Sequence, residues 1–322
     1  MSIILYLISL ANKIIGDILK PTTGIPRIVP LDIDNTTKAV LEPSVITEID
    51  GLKVYFTRSI GDSNHKIYLG RGETALGDWI YNTDPVIGMG YGGAPLDRQA
   101  HSSVVFKKDS TYYCFATNGY GFGEPGEDRN VYLYKSLDGV AFTDLGLILD
   151  KTLIPSASGF GNTSVYPEKI NGKYEMLIEA FVDGIWRIYR LQSNEIESGW
   201  VYVNAIPSLQ VNNIGMYGGM QHTYINNKWH IFYHYGTQVG NLPTVIGYAT
   251  SIDLIDVTLK ETPMLGIEYP VYGALTDQLA DPWIFEFKGK TYMLAEYCKN
   301  TGGFESETWI WEYDGTLNSI LK

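Results

Sequence analysis

Five segments of this chain repeat one two-strand pattern, in which an apolar strand meets a short polar turn and an aromatic-rich strand returns. They are residues 44–58 (SVITEIDGLKVYFTR), 102–117 (SSVVFKKDSTYYCFAT), 164–179 (SVYPEKINGKYEMLIE), 220–234 (MQHTYINNKWHIFYH) and 281–296 (DPWIFEFKGKTYMLAE). Their turns hold Asp50-Gly51, Asp109-Ser110, Asn171-Gly172, Asn226-Asn227 and Lys288-Gly289, residues that accept the positive φ angles of tight hairpins. The turns recur about every 60 residues, the regularity of a repeat architecture. A third strand follows in each unit, at residues 65–71, 130–136, 185–193, 244–251 and 308–314, with a weaker fourth visible at 199–205. Three or four antiparallel strands cannot bury both faces alone, whereas units arranged radially bury them against each other. The pattern predicts an all-β fold, a five-bladed β-propeller over residues 43–322. A β-sandwich with irregular strands is the alternative; it explains the hairpins but not their recurrence.

Composition agrees. Tyr (24), Trp (7), Phe (11) and Gly (34) are abundant and charged residues make up only 19%, a mixture that suits short strands and tight turns. The formal charge of −12 repels phosphate backbones and anionic membranes, so nucleic acid is not an expected partner. The two cysteines, Cys114 and Cys298, fall in different repeats, so no disulfide framework is expected to hold the fold.

Residues 1–20 are unlike the rest. Ile4, Leu7, Ala11, Ile14 and Ile18 recur at spacings of three and four, which predicts an amphipathic helix with a wide apolar face. A secretory signal would want a basic start, and a membrane span about 20 unbroken apolar residues, whereas Asn12, Lys13 and Asp17 interrupt this stretch. Three roles remain open: oligomerisation or docking to a partner, an atypical signal, or an anchor. Pro21 ends the helix, and residues 21–42 read as an extended connector.

In an antiparallel hairpin, residues equally far before and after the turn lie at one end of the sheet. Counting seven residues on from the second turn residue reaches Arg58, Thr117, Glu179, His234 and Glu296; counting eight back reaches Pro43, Ser102, Ser164, Gly219 and Asp281. Both sets belong to one mouth, as do the segments entering it, with Asp97, Arg98, His101, Gln221 and His222. The funnel where the sheet ends meet is the expected binding site.

Ala280-Asp281-Pro282-Trp283-Ile284-Phe285, followed by Gly289-Lys290-Thr291-Tyr292-Met293, resembles the Asp-Pro inner strand, glycine turn and aromatic return of the five-bladed propellers of glycoside hydrolase family 43 and its levansucrase and invertase relatives. Tyr166-Pro167-Glu168 and Trp186-Arg187-Ile188-Tyr189-Arg190 echo it. The resemblance implies carboxylates at the inner mouth: a base or nucleophile, a general acid, and a third that tunes the acid. Glycosidic cleavage needs a protonated acid at the leaving oxygen and an ionised carboxylate opposite it. On this resemblance Asp281 is the base, Glu179 the acid and Asp97 the third carboxylate, with Arg98 a clamp for a substrate carboxylate or a neighbour's counter-charge. The Asp-Pro motif lies in the last repeat instead of the first, a shift that a closed ring tolerates. Structural roles are the alternative for each: Asp281 capping a turn, Glu179 and Glu296 pairing with basic side chains, Asp97 and Arg98 forming a surface ion pair.

His101, His222 and His234 have no local metal-ligand spacing and are expected at the mouth, with Glu296, for sugar-hydroxyl recognition or ordinary hydrogen bonding. Tyr120 and Tyr217, in glycine-rich loops, offer ring faces for stacking on sugars. No cofactor is expected; the acidic loop 121–128 has oxygens for a structural Ca²⁺ but not the spaced ligands of an EF-hand. Two functions remain, both carbohydrate-directed and both pointing to an extracellular or virion-surface setting. One is a glycosidase-like hydrolase. The other is a non-catalytic glycan-binding or structural propeller held by its N-terminal helix on a larger assembly such as a fibre, tail or surface layer.

Overall fold

A computed structural model describes residues 27–29, 39–59, 65–77, 79–118, 129–209, 217–236, 244–260, 264, 278–300 and 304–321. The fold is all-β, as its repeats predict. The first strand among the described residues is β1 (Arg27–Val29). Three sheets of four antiparallel strands follow: β2 (Ala39–Thr47), β3 (Leu52–Ser59), β4 (His65–Gly72) and β5 (Trp79–Tyr81); β6 (His101–Lys108), β7 (Thr111–Thr117), β8 (Val131–Ser136) and β9 (Thr143–Leu149); β10 (Ala157–Ile170), β11 (Lys173–Val182), β12 (Ile185–Ser193) and β13 (Val201–Ala205). A fourth sheet of eight strands joins β14 (Tyr217–Ile225), β15 (Lys228–Gly236), β16 (Thr244–Ser251) and β17 (Val257–Leu259) to β18 (Gln278–Phe287), β19 (Lys290–Asn300), β20 (Phe304–Tyr313) and β1. One parallel contact, Thr244 with Gln278, links its two antiparallel halves. The only α-helix among the described residues is the single turn α1 (Leu317–Ile320). The helix expected over residues 1–20 lies outside the described residues.

The hairpins form as their turn residues dictate. Asn171-Gly172, Asn226-Asn227 and Lys288-Gly289 each carry two positive φ angles in succession, the backbone twist that two-residue hairpins require. The first hairpin differs, because Thr47 pairs with Leu52 across a longer loop closed by the Glu48 amide on the Gly51 carbonyl.

The apolar cores lie between sheets. Tyr55, Ile67 and Leu69 pack with Val105, Tyr112 and Tyr134; Phe115 and Leu133 with Phe160 and Met176; Leu177 and Ile188 with Trp229 and Ile231; Phe232 and Ile246 with Met293 and Trp311; Phe285 and Leu294 with Val54 and Phe56. Each cluster draws on two neighbouring units, and the last returns to the first. Polar side chains fasten the same seams: the Ser44 hydroxyl accepts the Val105 amide at 3.2 Å, Ser164 accepts the His222 amide at 3.1 Å, Gln221 donates to the Ile284 carbonyl at 3.0 Å, and the Trp283 indole donates to the Val45 carbonyl at 3.2 Å.

Part of the expected connector proves to be sheet. Arg27, Ile28 and Val29 pair with Ile310, Trp309 and Thr308, giving the last unit its fourth strand, and β2 already begins at Ala39. Prolines at 26 and 30 flank β1, which restricts it to a short edge strand. Removing residues 1–30 takes these pairings away, whereas removing 1–20 does not. With a net contribution of about 1 kcal/mol per hydrogen bond and a shift of about 2–4 °C per kcal/mol, the longer truncation should melt roughly 5–10 °C below the shorter one. Equal melting temperatures would show that β1 contributes nothing.

Candidate functional site

The first strand of each unit carries a bulge, and β10 two further irregularities. The pairing registers slip between Leu41 and Ser44, His101 and Val104, Phe160 and Thr163, Gly218 and Gln221, and Ala280 and Trp283. A bulge leaves an unpaired residue and re-aims its side chain. These inner strands pack against one another in a circuit, β2 on β6, β6 on β10, β10 on β14, β14 on β18 and β18 on β2, so the bulges converge. They line a cleft with about 270 Å³ of unfilled space, part of it open to solvent, walled by Glu42, Pro43, Ser103, Asn162, Thr163, Gly219, Met220, Asp281, Pro282 and Trp283.

At four of the bulges the leading residue is left-handed: Glu42 (φ 56°), Ser102 (φ 48°), Gly219 (φ 50°) and Asp281 (φ 48°). Only Gly219 adopts this region without strain. For the other three it costs on the order of 1 kcal/mol or more each, and glycine would remove that cost. Strain of this kind, held where side chains meet in a cleft, is a signature of a functional site.

Glu42 is buried, its Oε2 accepting the Thr57 hydroxyl at 2.8 Å and its Oε1 the Ser102 hydroxyl at 3.0 Å. Burial, reinforced by the nearby Asp281 charge and only partly offset by those hydroxyls, raises its pKa to about 8. Behind the cleft wall lies Glu179, whose two oxygens accept the backbone amides of Gly219 and of Asn162, the latter at 3.1 Å. Burial raises its pKa to about 7; the charge of His234 opposes that rise, Asp281 adds to it, and the two amides offset it. Asn162 also donates through Nδ2 to Asp281 Oδ1 at 3.0 Å, so one residue touches both carboxyl groups. His234 Nδ1 lies 3.5 Å from Asp281 Oδ1. A side chain on Gly219 would collide with Asp281 and His234.

Of the residues expected at the mouth, Asp281, Glu179 and His234 therefore meet, while Asp97 and Arg98 do not join them. Asp97 is exposed in a turn, and Arg98 reaches the Asp144 carboxylate and stacks on Tyr132, 3.9 Å from the ring centre. This corrects the expectation for both: the long segment between β5 and β6 carries them to the outer strands of the second sheet. His101 stands behind Glu42, with Nδ1 2.6 Å from Ser102 Oγ and Nε2 3.5 Å from Glu42 Oε1; burial, then His65 and Arg129, push its pKa well below the usual value. His222 is a seam residue instead of a mouth residue, with Nδ1 2.8 Å from Ser164 Oγ, a ring packed on Trp229, and a pKa lowered by burial to about 3. Glu296 is buried in β19 opposite Ala280. Tyr120 and the loop 121–128 lie outside the described residues, and of Tyr217 only the backbone is described, at the start of β14. No metal-holding group of three or more His, Cys, Asp or Glu occurs among the described residues.

Glu42 is the functional candidate that residue counting misses. The longer first hairpin displaces the count by one, so it lands on Pro43. The available signal was Glu42-Pro43 itself, which matches Asp281-Pro282 ahead of a similar apolar strand.

No family model and no curated protein matches the sequence. Solved structures share its fold. A glycoside hydrolase superposes with a TM-score of 0.73 over 92% of this chain and 94% of its own, at 14% identity. A thermostable family-43 glycoside hydrolase gives 0.63 over 88% and 91%, at 12% identity. A β-1,2-mannobiose phosphorylase from Listeria innocua gives 0.61 over 91% and 95%, at 16% identity. The fold is that of the glycoside hydrolase propellers. At these identities the likeness concerns the propeller architecture, and the chemistry rests on this chain's own residues.

Titration of the propeller's stability probes Glu42 directly. Its folded pKa is raised, so its contribution is fully present below the ordinary value of 4.5 and is lost as pH rises through about 8. Glu42→Gln keeps the shape and cannot ionise. Each tenfold difference in proton affinity between the folded and unfolded chain is worth about 1.4 kcal/mol. Between pH 5 and 9 the parent should therefore lose a few kcal/mol more stability than this variant, measured by denaturant unfolding. Parallel losses would mean that Glu42 is not held protonated.

Proposed function

We propose that the chain is a five-bladed β-propeller directed at carbohydrate, with a glycosidase-like site in its central cleft. Five inter-sheet cores that return on themselves, and an eight-stranded sheet divisible into two four-stranded halves, support the ring of five blades. The observation that carries the functional reading is the pair Glu42 and Asp281. They lead equivalent bulges of adjacent inner strands, both are held in left-handed backbone, and both line the same cleft.

Glycoside cleavage needs two carboxyl groups in opposite protonation states. Glu42, with a pKa of about 8, carries its proton at neutral pH and is suited to protonate the leaving oxygen. Asp281 accepts a hydrogen bond from Asn162 and faces His234, surroundings suited to an anion that acts as base or nucleophile. Glu179, assigned as acid by its place in the repeat, does not line the cleft, and in this reading it supports Asp281 from behind. Ser103 and Thr163 line the cleft, their hydroxyl oxygens buried without a protein partner, and Trp283 supplies an aromatic wall that suits a sugar ring. The solved structures named above are two glycoside hydrolases and a mannobiose phosphorylase, which supports a carbohydrate-directed role.

Incubation with a panel of oligosaccharides and polysaccharides, followed by detection of released sugar, tests the reading. Glu42→Gln and Asp281→Asn should each lower kcat by about 10²–10⁴-fold, and the parent's rate should fall above about pH 8 as Glu42 ionises. Full activity in Glu42→Gln would remove it as acid. Glycan binding without cleavage would leave a binding propeller.

A further inference from the structure

His234 lies between the two carboxyl groups that meet behind the cleft. From β15 its ring presents Nδ1 to Asp281, 3.5 Å from Oδ1 and 3.3 Å from the backbone amide nitrogen. On the other side, a methyl group built on Gly218 would lie 2.9 Å from His234 Nε2 and also against Glu179 Oε1. Nε2 and Glu179 thus crowd one point, and only a glycine at 218 leaves room for them. The ring is buried, and Gly218 of β14 and Ile246 of β16 are its register neighbours, neither with a charge. The charged groups acting on it from the packed elements are Asp281 of β18 and Glu179 of β11.

Resting on the reading of Asp281 as the ionised carboxylate of the site, we propose that His234 is a positioning residue, an imidazolium clamped between Asp281 and Glu179. It holds one Asp281 oxygen from behind and leaves the other to the cleft, with Glu179 on its far side. Two arrangements of Nδ1 compete. A neutral ring accepts the Asp281 amide, whereas an imidazolium donates to Oδ1 and gives that amide up. Both contacts are long for a hydrogen bond, 3.3 Å to the amide and 3.5 Å to Oδ1, so charge decides between them, and carboxyl groups on both sides in a buried site favour the charged ring. Burial opposes the charge on His234, but Asp281 and Glu179 outweigh it and raise its pKa. The other four of the chain's five histidines, His65, His101, His222 and His230, are all shifted the other way, with burial the first cause.

Nitrogen NMR of the full chain labelled in histidine reads this without any substrate. At neutral pH one imidazolium, with both ring nitrogens protonated, should stand out among neutral rings, and His234→Gln should remove it. Absence of an imidazolium in the parent, or its survival in His234→Gln, overturns the proposal. On a glycan that the protein cleaves, His234→Gln should lower kcat about a hundredfold with KM within a few-fold. An unchanged kcat would also overturn it. Should no glycan be cleaved, the glycosidase reading fails while the NMR result still decides the state of His234.

Discussion

The bulge in each inner strand, left-handed at four of the five, is the constraint on which the site depends. A regular strand would point alternate side chains into the cores between sheets and leave none aimed along the axis. The bulge breaks that alternation where the strands converge and turns Glu42 and Asp281 into the shared cleft. Glycine serves at Gly219, where a side chain would collide with Asp281 and His234. Where the side chain has work to do, the fold accepts strain in a glutamate, a serine and an aspartate, a cost of about 1–3 kcal/mol apiece. Large buried aromatic cores between the sheets over-determine the backbone enough to sustain it.

Burial sorts the polar groups around this axis. His222 and Ser164 satisfy each other across a seam between sheets, and the neutral ring is held there by apolar packing against Trp229. Glu175 is equally buried, but Arg190 meets it with two hydrogen bonds at 2.7 and 2.9 Å, so it is a satisfied structural pair. Glu42 accepts two hydroxyls and faces, at 3.5 Å, the ring of His101, whose pKa burial holds low. A carboxyl group so placed favours its protonated form, which separates it in kind from the paired acids elsewhere in the fold.

Much of the architecture was legible because hairpin turns and aromatic return strands leave strong local marks. Strands β3, β7, β11, β15 and β19 lie where the repeat predicts them. Weak fourth strands such as β5 and β17, three residues each, carry too little pattern to be read alone. Strand β1 was hidden for another reason: between two prolines its pairing depends wholly on β20, hundreds of residues away. In the site, Asp281 and His234 fell on the repeat and were found. Glu42 was displaced by the longer first turn. Glu179 was reached although β10 and β11 have two irregularities besides the bulge, and the one between Tyr166 and Ile170 sets it opposite the bulge, where other repeats have Phe56, Ala116, Tyr233 and Ala295. Its side chain consequently lies behind the cleft wall, an orientation that sequence position alone does not reveal.

The pairing of Arg27–Val29 with Thr308–Ile310 also sets an order on biogenesis. Of the described strands, the earliest to be made has its partner in the latest, β20. While the chain is being made, the early sheets stack in succession, yet the last unit stays incomplete until β20 has been made. Closing so distant a contact is entropically slow. The open intermediate meanwhile exposes an unpaired sheet edge and an apolar face, the surfaces through which nascent chains associate. The flanking prolines at 26 and 30 restrict what that waiting strand can pair with, so the residues that make β1 short also protect the chain before it closes.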